Sequence, residues 1–355
     1  MNDDERALSV KNMDKQSIQA QQAEIKFRRL LFRQQVQGEA LLEDEFDTRG
    51  IEAILKQRMA QTQAVMSRLH AQQLPLGPYL ELGAERGQRS LVMENALGQH
   101  GAAADISFDM LRSCSHYAQV FEQQQLPLRL CCDAQNLPLR SGSLPFVFCF
   151  QTLHHFLDFS PVIAEIHRVL APGGCFYFDD EPFQQLAHLP LYPGPKMYSQ
   201  RARQASKFKK TLDYFFASRV CNEADFGVIE EDEIPLKVWK QRLKLFQSHK
   251  LTLRSPFGIK SRFERPSLRR FFNSLVGGLI SGTCYKAGKL PERFAPIEAH
   301  LICPACKHQG LQASLEPAET EYTCTCCSEA FPIQDGVLFL LDPAQRLALY
   351  PELTT

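Results

Sequence analysis

The chain has 355 residues, of which 44% are hydrophobic and 23% charged, and 40 Lys and Arg balance 40 Asp and Glu. That length accommodates a full α/β domain plus something smaller, and without a run of eighteen apolar residues no membrane-spanning helix is expected. The polar start "MNDDERALSVKNMDKQ" does not read as a secretory signal, so a cytoplasmic protein is expected.

Residues 1–70 read as a Gln-rich helical segment. Ile51, Ile54, Leu55, Met59, Val65, Met66 and Leu69 fall at helical spacing, as in a helix braced on a sheet edge. From 71 to 182 strand and helix alternate. "YLEL" (79–82) is a strand, "SLVMENALG" a helix and "GAAADIS" a second strand. The helix "SFDMLRSCSHYAQVF" is capped by Ser107, and the strands "LRLCCDA" and "LPFVFCFQT" follow, the latter apolar on both faces as a central parallel strand should be. "SPVIAEIHRVLAPGG" predicts a helix with Ser160 as N-cap and Pro172-Gly173-Gly174 as its stop, before the strand "CFYFDDEP". The alternation predicts a Rossmann-like, doubly wound parallel sheet with ligands at the carboxyl ends of its strands.

Those ends carry polar groups: Glu81, Asp105, Asp133, Gln151 to His155, and Asp179 to Glu181. Five such ends on one sheet edge point to a shared pocket. The turn "GAERG" brings Gly83 and Gly87 after the first strand, where a missing Cβ admits a ligand to the backbone. Asp105 follows eighteen residues later, the spacing at which a carboxylate accepts from ribose hydroxyls. Spacing alone leaves any adenosine ligand open, nicotinamide enzymes included.

Four stretches in order, "LELGAERG", "AADIS", "CCDAQNLPLRSGSLPFVFCFQTLHHF" and "EIHRVLAPGGCFYFDDEP", resemble the class I S-adenosylmethionine-dependent methyltransferases over about residues 75–182. The resemblance implies S-adenosylmethionine as cofactor. Glu81, Gly83 and Gly87 then belong to the first motif, Asp105 is the ribose acid, Asp133 and Ala134 hold the adenine, and Gln151 lies beside the ligand. The family usually has glycine where this chain has Glu85, which brings a negative charge toward the cofactor's carboxylate unless Arg86 or Arg89 pairs with it. Methyl transfer is an in-line displacement that rests on alignment, with a base needed only for a poorly acidic hydroxyl or an ammonium. His154, His155 and Glu181 are the candidates. A non-catalytic scaffold that kept the fold and lost turnover through Glu85 is the competing reading.

Beyond 182 the alternation breaks. Residues 183–290 hold 20 Lys and Arg against 8 Asp and Glu, or +12, leaving −12 for the remainder. Basic and aromatic residues interleave in "KMYSQRARQASKFKKTLDYFFASR" and "KSRFERPSLRRFF", which suits RNA and equally an anionic lipid or glycan phosphate, while "GVIEEDEIPLKVW" resembles the substrate-cap region of small-molecule members of the same family. "IPLKVWKQRLKLFQS" places Val238, Trp239, Leu243 and Phe246 on one face of an amphipathic helix. The basic insertion and end of the core run over 183–297.

Twelve cysteines include five in the last sixty residues, and Cys303-x-x-Cys306 and Cys324-x-x-Cys327 stand seventeen residues apart. Two such pairs supply four thiolates for a tetrahedral structural zinc, with Cys326 a possible substitute ligand. With "AFPIQDGVLFLL" they resemble the small zinc-ribbon activator subunit of tRNA, rRNA and release-factor methyltransferases over about 298–342. The resemblance implies a ribbon packed on the methyltransferase core in cis, followed by a tail at 343–355.

Overall fold

The protein is described by a computed structural model over residues 3–36, 50–195, 204–218, 223–231 and 233–353. Two long helices open it, α1 (Asp3–Val36) and α2 (Ile51–Ala71). Helix is therefore present where the first seventy residues predict it, and residues 37–49 lie outside the described residues.

The expected alternation follows as β1 (Tyr79–Leu82), α3 (Gln88–Ala96), β2 (Gly101–Asp105), α4 (Phe108–Val120), β3 (Leu128–Cys131), β4 (Leu144–Phe150), α5 (Ser160–Val169) and β5 (Leu170–Phe183). These strands pair in the order β3-β2-β1-β4-β5, all parallel. Leu80 lies opposite Ala102 on one side and Val147 on the other, so β1 is central and every residue in it is buried. β4 is buried along its whole length. Because each parallel strand enters from the same edge, the residues after β1, β2, β3 and β4 all emerge on the other edge, where the site forms.

Ser107 caps α4 as expected, accepting from the Met110 N–H at 3.4 Å. Two boundaries differ from the sequence reading. α5 stops at Val169, and Leu170 and Pro172-Gly173-Gly174 already belong to β5; Gly173, at φ 77°, packs so tightly that a Cβ would meet the Leu290 nitrogen at 2.8 Å. Ser160 lies inside α5, and the Asp158 carboxylate accepts from its N–H.

After β5 come β6 (Tyr192–Pro193), α6 (Lys207–Phe216), β7 (Ala217–Ser218), α7 (Leu236–Arg242), β8 (Ser248–Arg254), β9 (Lys260–Arg262), α8 (Leu268–Val276) and β10 (Gly278–Tyr285). β10 runs antiparallel between β5 and β8, and β9 closes that edge. The helix expected over 234–248 is shorter: α7 ends at Arg242, and a 3₁₀ turn leads into β8. Its purpose is still apolar packing, since Trp239 is fully buried and stacks on Phe178 at 5.3 Å.

The C-terminal part holds α9 (Pro304–Lys307), β11 (Leu315–Pro317), β12 (Glu321–Cys324), β13 (Ala330–Gln334), β14 (Val337–Phe339) and α10 (Pro343–Leu349). β14 pairs parallel with β3, Leu338 opposite Leu130, so this segment extends the central sheet. Of the residues read as a tail, 343–353 are therefore structured and 354–355 lie outside the described residues. Tyr350, fully buried, accepts from the Phe108 N–H and donates to the Ile106 carbonyl.

Candidate active site

The turn after β1 is built from both sides. Gly83 has φ 63°, and a Cβ there would lie 2.5 Å from the Thr152 side chain, so glycine is required by the approach of the loop after β4. Gly87 has φ 67° and starts α3, but its missing Cβ makes room for Cys114 of α4 at 2.7 Å. Gly87 does not line the cavity described below, and its missing Cβ serves the packing of α3 on α4. Glu81 is likewise off the cavity. Its carboxylate accepts from Ser90 N at 2.9 Å and Ser90 Oγ at 2.6 Å, tying the start of α3 to β1. Burial pushes its pKa up to about 7 against the opposing pull of Arg89 and the Ser90 donors.

Glu85 occupies the place of the family's usual glycine and keeps a glycine-like backbone, φ 53°. A non-glycine residue there costs about 1 kcal/mol. Its side chain turns away from the backbone into a basic cluster: Arg58 at 2.6 Å, Arg86 at 2.7 Å and Arg28 at 3.8 Å. Burial alone would raise its pKa, but Arg86, Arg58, Arg28 and Arg89 together hold it far below the usual carboxylate range. The negative charge is thus outnumbered by cations. Glu85→Gln keeps the shape and strips the counter-charge from the fully buried Arg86. The expected loss is about 3 kcal/mol of stability, read as a lower urea midpoint at an unchanged m-value.

One cavity of about 960 Å³ opens along the carboxyl edge of the sheet, within the range of small-molecule sites. Gly83, Asp105, Asp133, Ala134, Gln151, His154 and His155 all line it, so seven of the ten predicted ligand and catalytic residues converge there. Asp105 and Asp133 come from the ends of adjacent strands, Asp105 lying opposite Cys131. Asp105 accepts from the N–H groups of Glu85 and Ser107, both at 2.8 Å. Burial raises its pKa to about 6, the two N–H donors opposing. Asp133 accepts from Gln21 of α1 at 2.8 Å, Gln345 of α10 at 2.7 Å and its neighbour Gln135 N at 2.8 Å. The roof is therefore made by both ends of the chain, a feature with no sequence motif.

Glu181, expected as a catalytic group, does not line the cavity. It is wholly buried and receives the N–H groups of Thr152 (2.7 Å), Leu153 (3.0 Å) and His154 (3.3 Å), together with His154 Nδ1 at 2.9 Å. Burial opposes its ionisation, yet this array of donors holds it below the usual carboxylate value. Its role is to fix the loop after β4. His155 places Nδ1 2.9 Å from the Ile229 carbonyl. A carbonyl only accepts, so Nδ1 carries the proton and Nε2 is left as the basic nitrogen. Burial and then His154 lower its pKa to about 4, which keeps it neutral at pH 7. Glu24, Arg28 and Glu223 gather beside it, Arg28 reaching Glu24 at 2.6 Å and Glu223 at 3.6 Å.

Apart from this cavity, Cys303, Cys306, Cys324 and Cys327 bring their sulfurs within 4.8 Å of one another. Cys303 and Cys327 are 3.7 Å apart, as are Cys306 and Cys324. A tetrahedral zinc with sulfurs at about 2.3 Å separates them by about 3.8 Å, so the four thiols fit that ion. Cys326 contributes only its backbone, donating to Cys324 Sγ at 3.4 Å alongside Cys327 N at 3.5 Å. The cluster sits against the sheet domain: Lys307 donates to Asn136 and pairs with Glu165, both at 2.6 Å, and Leu139 bridges to Leu301.

Residues 80–178 match the model of a methyltransferase domain. A malonyl-[acyl-carrier protein] O-methyltransferase of Alcanivorax borkumensis is 38% identical over 103 residues, which is 28% of this chain and 34% of that protein. A norajmaline N-methyltransferase of Rauvolfia serpentina is 27% identical over 118 residues, 32% of this chain and 38% of that one. This chain thus spans about a third of the length of these curated relatives. A solved phosphoethanolamine N-methyltransferase 2 of Haemonchus contortus, in complex with phosphomonomethylethanolamine and S-adenosylhomocysteine, is 14% identical. It superposes with a TM-score of 0.38 over 64% of this chain and 53% of that one. Over residues 80–178, between β1 and β5, this chain is thus similar to methyltransferase domains.

Proposed function

We propose that this protein is an S-adenosylmethionine-dependent methyltransferase acting on a small-molecule acceptor, with a structural zinc in its C-terminal ribbon. The observation that carries the reading is Asp105 and Asp133 side by side on one roofed cavity with Gly83 at its floor. When bound, S-adenosylmethionine supplies a sulfonium methyl group open to in-line displacement. Asp105 accepts the ribose hydroxyls, Asp133 and Ala134 hold the adenine, and Gln151 closes the edge. Arg28, Arg58 and Arg89 line that end of the cavity beside Glu24, Glu85 and Glu223, and their guanidinium groups are the donors that would meet a carboxylate. The loop held by Glu181 orients His154. His155, neutral and with Nε2 as its acceptor nitrogen, accepts a hydrogen bond from an acceptor hydroxyl or amine and orients it; lowered to about 4, its pKa suits that positioning and not proton abstraction. On this reading residues 71–182 bind the cofactor, 183–297 brace the sheet and cap the acceptor, and 298–342 stabilise the domain in cis.

A small acceptor is favoured over RNA because no Lys or Arg of residues 183–290 lines the cavity, which takes only Glu223, Ile229 and Glu230 from that segment. Methyl-labelled S-adenosylmethionine, incubated with the protein and cell extract, should pass its label to a low-mass, nuclease-resistant fraction. Label confined to nuclease-sensitive material would replace this acceptor class with RNA. Ligand affinity should also follow the ionisation of Asp105. It is full above pH 6 and falls as pH drops through that value, by about tenfold at pH 5, because the protonated acid loses its acceptor strength toward ribose.

A further inference from the structure

Away from the cavity, the segment 183–290 presents a surface built against the usual rule. α8 carries Leu268, Phe271 and Leu275 at helical spacing, and this stripe faces solvent: Leu268 is 84% exposed and Phe271 66%. α6 does the same with Phe208, 76% exposed, and Leu212 one turn on. The two helices are joined at their C-terminal ends. Tyr214 Oη of α6 donates to the Val276 carbonyl of α8 at 2.7 Å. The connecting segment runs between them, with Ala187 N bonded to the Leu275 carbonyl and Leu189 N to the Phe215 carbonyl. That segment adds the exposed side chains of Leu186, Leu189 and Leu191. Phe257, itself half exposed, joins the helices through ring contacts with Phe215 at 6.4 Å and Phe272 at 6.2 Å.

The rim is cationic. Lys207, Lys209 and Lys210 flank the α6 stripe, and the exposed Arg262, Arg265 and Arg269 flank α8. Two acids lie in the same region: Asp213 pairs with Lys209 and accepts from Tyr192, and Glu264 accepts from the Leu251 N–H and keeps its charge, so these six cations outnumber them. Short amphipathic helices with outward Phe and Leu and a Lys/Arg border are the composition that seats a protein on an anionic bilayer, the apolar stripe entering the headgroup boundary. A protein partner of equal apolarity would not require the cationic border, and RNA would not require three leucines and two phenylalanines between the charges.

We infer that the α6–α8 face is a peripheral membrane-docking surface that lies on anionic lipid without spanning it. The apolar stripes supply burial and the lysines and arginines supply attraction to the headgroups. Among the described residues no helix is long and apolar enough to cross a membrane, consistent with docking in the interface plane. The inference is independent of the methyl-transfer chemistry, because none of these residues lines the cavity.

The test is co-sedimentation of the full chain with extruded vesicles of phosphatidylcholine alone or mixed with phosphatidylglycerol, at low and high salt. The protein should pellet with the anionic vesicles at low salt and release at high salt. Phe208→Glu with Phe271→Glu should abolish pelleting. Lys207→Gln with Arg265→Gln and Arg269→Gln should weaken it on the order of a hundredfold, at about tenfold or less per charge. All variants should keep the wild-type circular dichroism and S-adenosylhomocysteine binding, since the altered side chains are solvent-facing. A protein that stays in the supernatant with anionic vesicles at low salt overturns the inference. So does pelleting that survives both sets of substitutions, or a dimer of the wild type that the phenylalanine variant converts to monomer.

Discussion

Cys303→Ser with Cys306→Ser should lower the melting temperature on the order of ten degrees and send much of the protein into the insoluble fraction. Two of the four thiols that fit the proposed zinc are lost. The effect does not stop at the ribbon. β14 is a strand of the central sheet, hydrogen-bonded to β3, and Leu338 and Leu340 lie in the same core as Leu80 and Val147. β3 leads directly into Asp133, and α10 behind β14 supplies Gln345 to that carboxylate. Loosening the metal site should therefore weaken S-adenosylhomocysteine binding as well as stability. Metal analysis of the wild type should give one zinc per chain. A melting curve that the substitutions leave unmoved would remove the structural zinc.

Asp105→Asn should reduce S-adenosylhomocysteine affinity by about a hundredfold, the loss of two charge-assisted acceptors at about 1.5 kcal/mol each. The wild-type carboxylate already receives Glu85 N and Ser107 N, so it fixes the glycine turn before any ligand arrives. An amide must present its NH₂ to one of those two N–H donors, and the turn shifts. The melting temperature separates the causes. A variant that melts near the wild type but binds a hundredfold more weakly has lost a ligand contact, whereas a collapse of both would assign Asp105 to the fold alone.

The sheet was legible because parallel strands buried on both faces, such as "LPFVFCF", and their intervening helices leave local patterns. The convergence of Asp105 and Asp133 follows from that topology. Other features were beyond sequence reading for definite reasons. Arg28, Arg58, Gln21 and Gln345 reach the site from helices far away along the chain, where no spacing marks them. Glu85 reads as an intrusion until the arginines that neutralise it are in place. Gly87 fits the family motif by spacing, yet its glycine requirement comes from Cys114 on α4. Glu181 reads as an acid at a strand tip, and only the three N–H groups that converge on it reveal a loop clamp. In α6 and α8 the interleaving of basic and aromatic residues was visible, but which way the apolar side chains face depends on what lies underneath.

Everything turns on whether the roofed cavity over β1, β2 and β3 takes an adenosine ligand. Isothermal titration of the wild-type protein with S-adenosylhomocysteine at pH 7.5 measures this without knowledge of the acceptor. Saturable binding of one ligand per chain at micromolar concentration is the predicted result. No heat at millimolar ligand, from protein with a cooperative melt, would leave a methyltransferase-like scaffold in place of the enzyme.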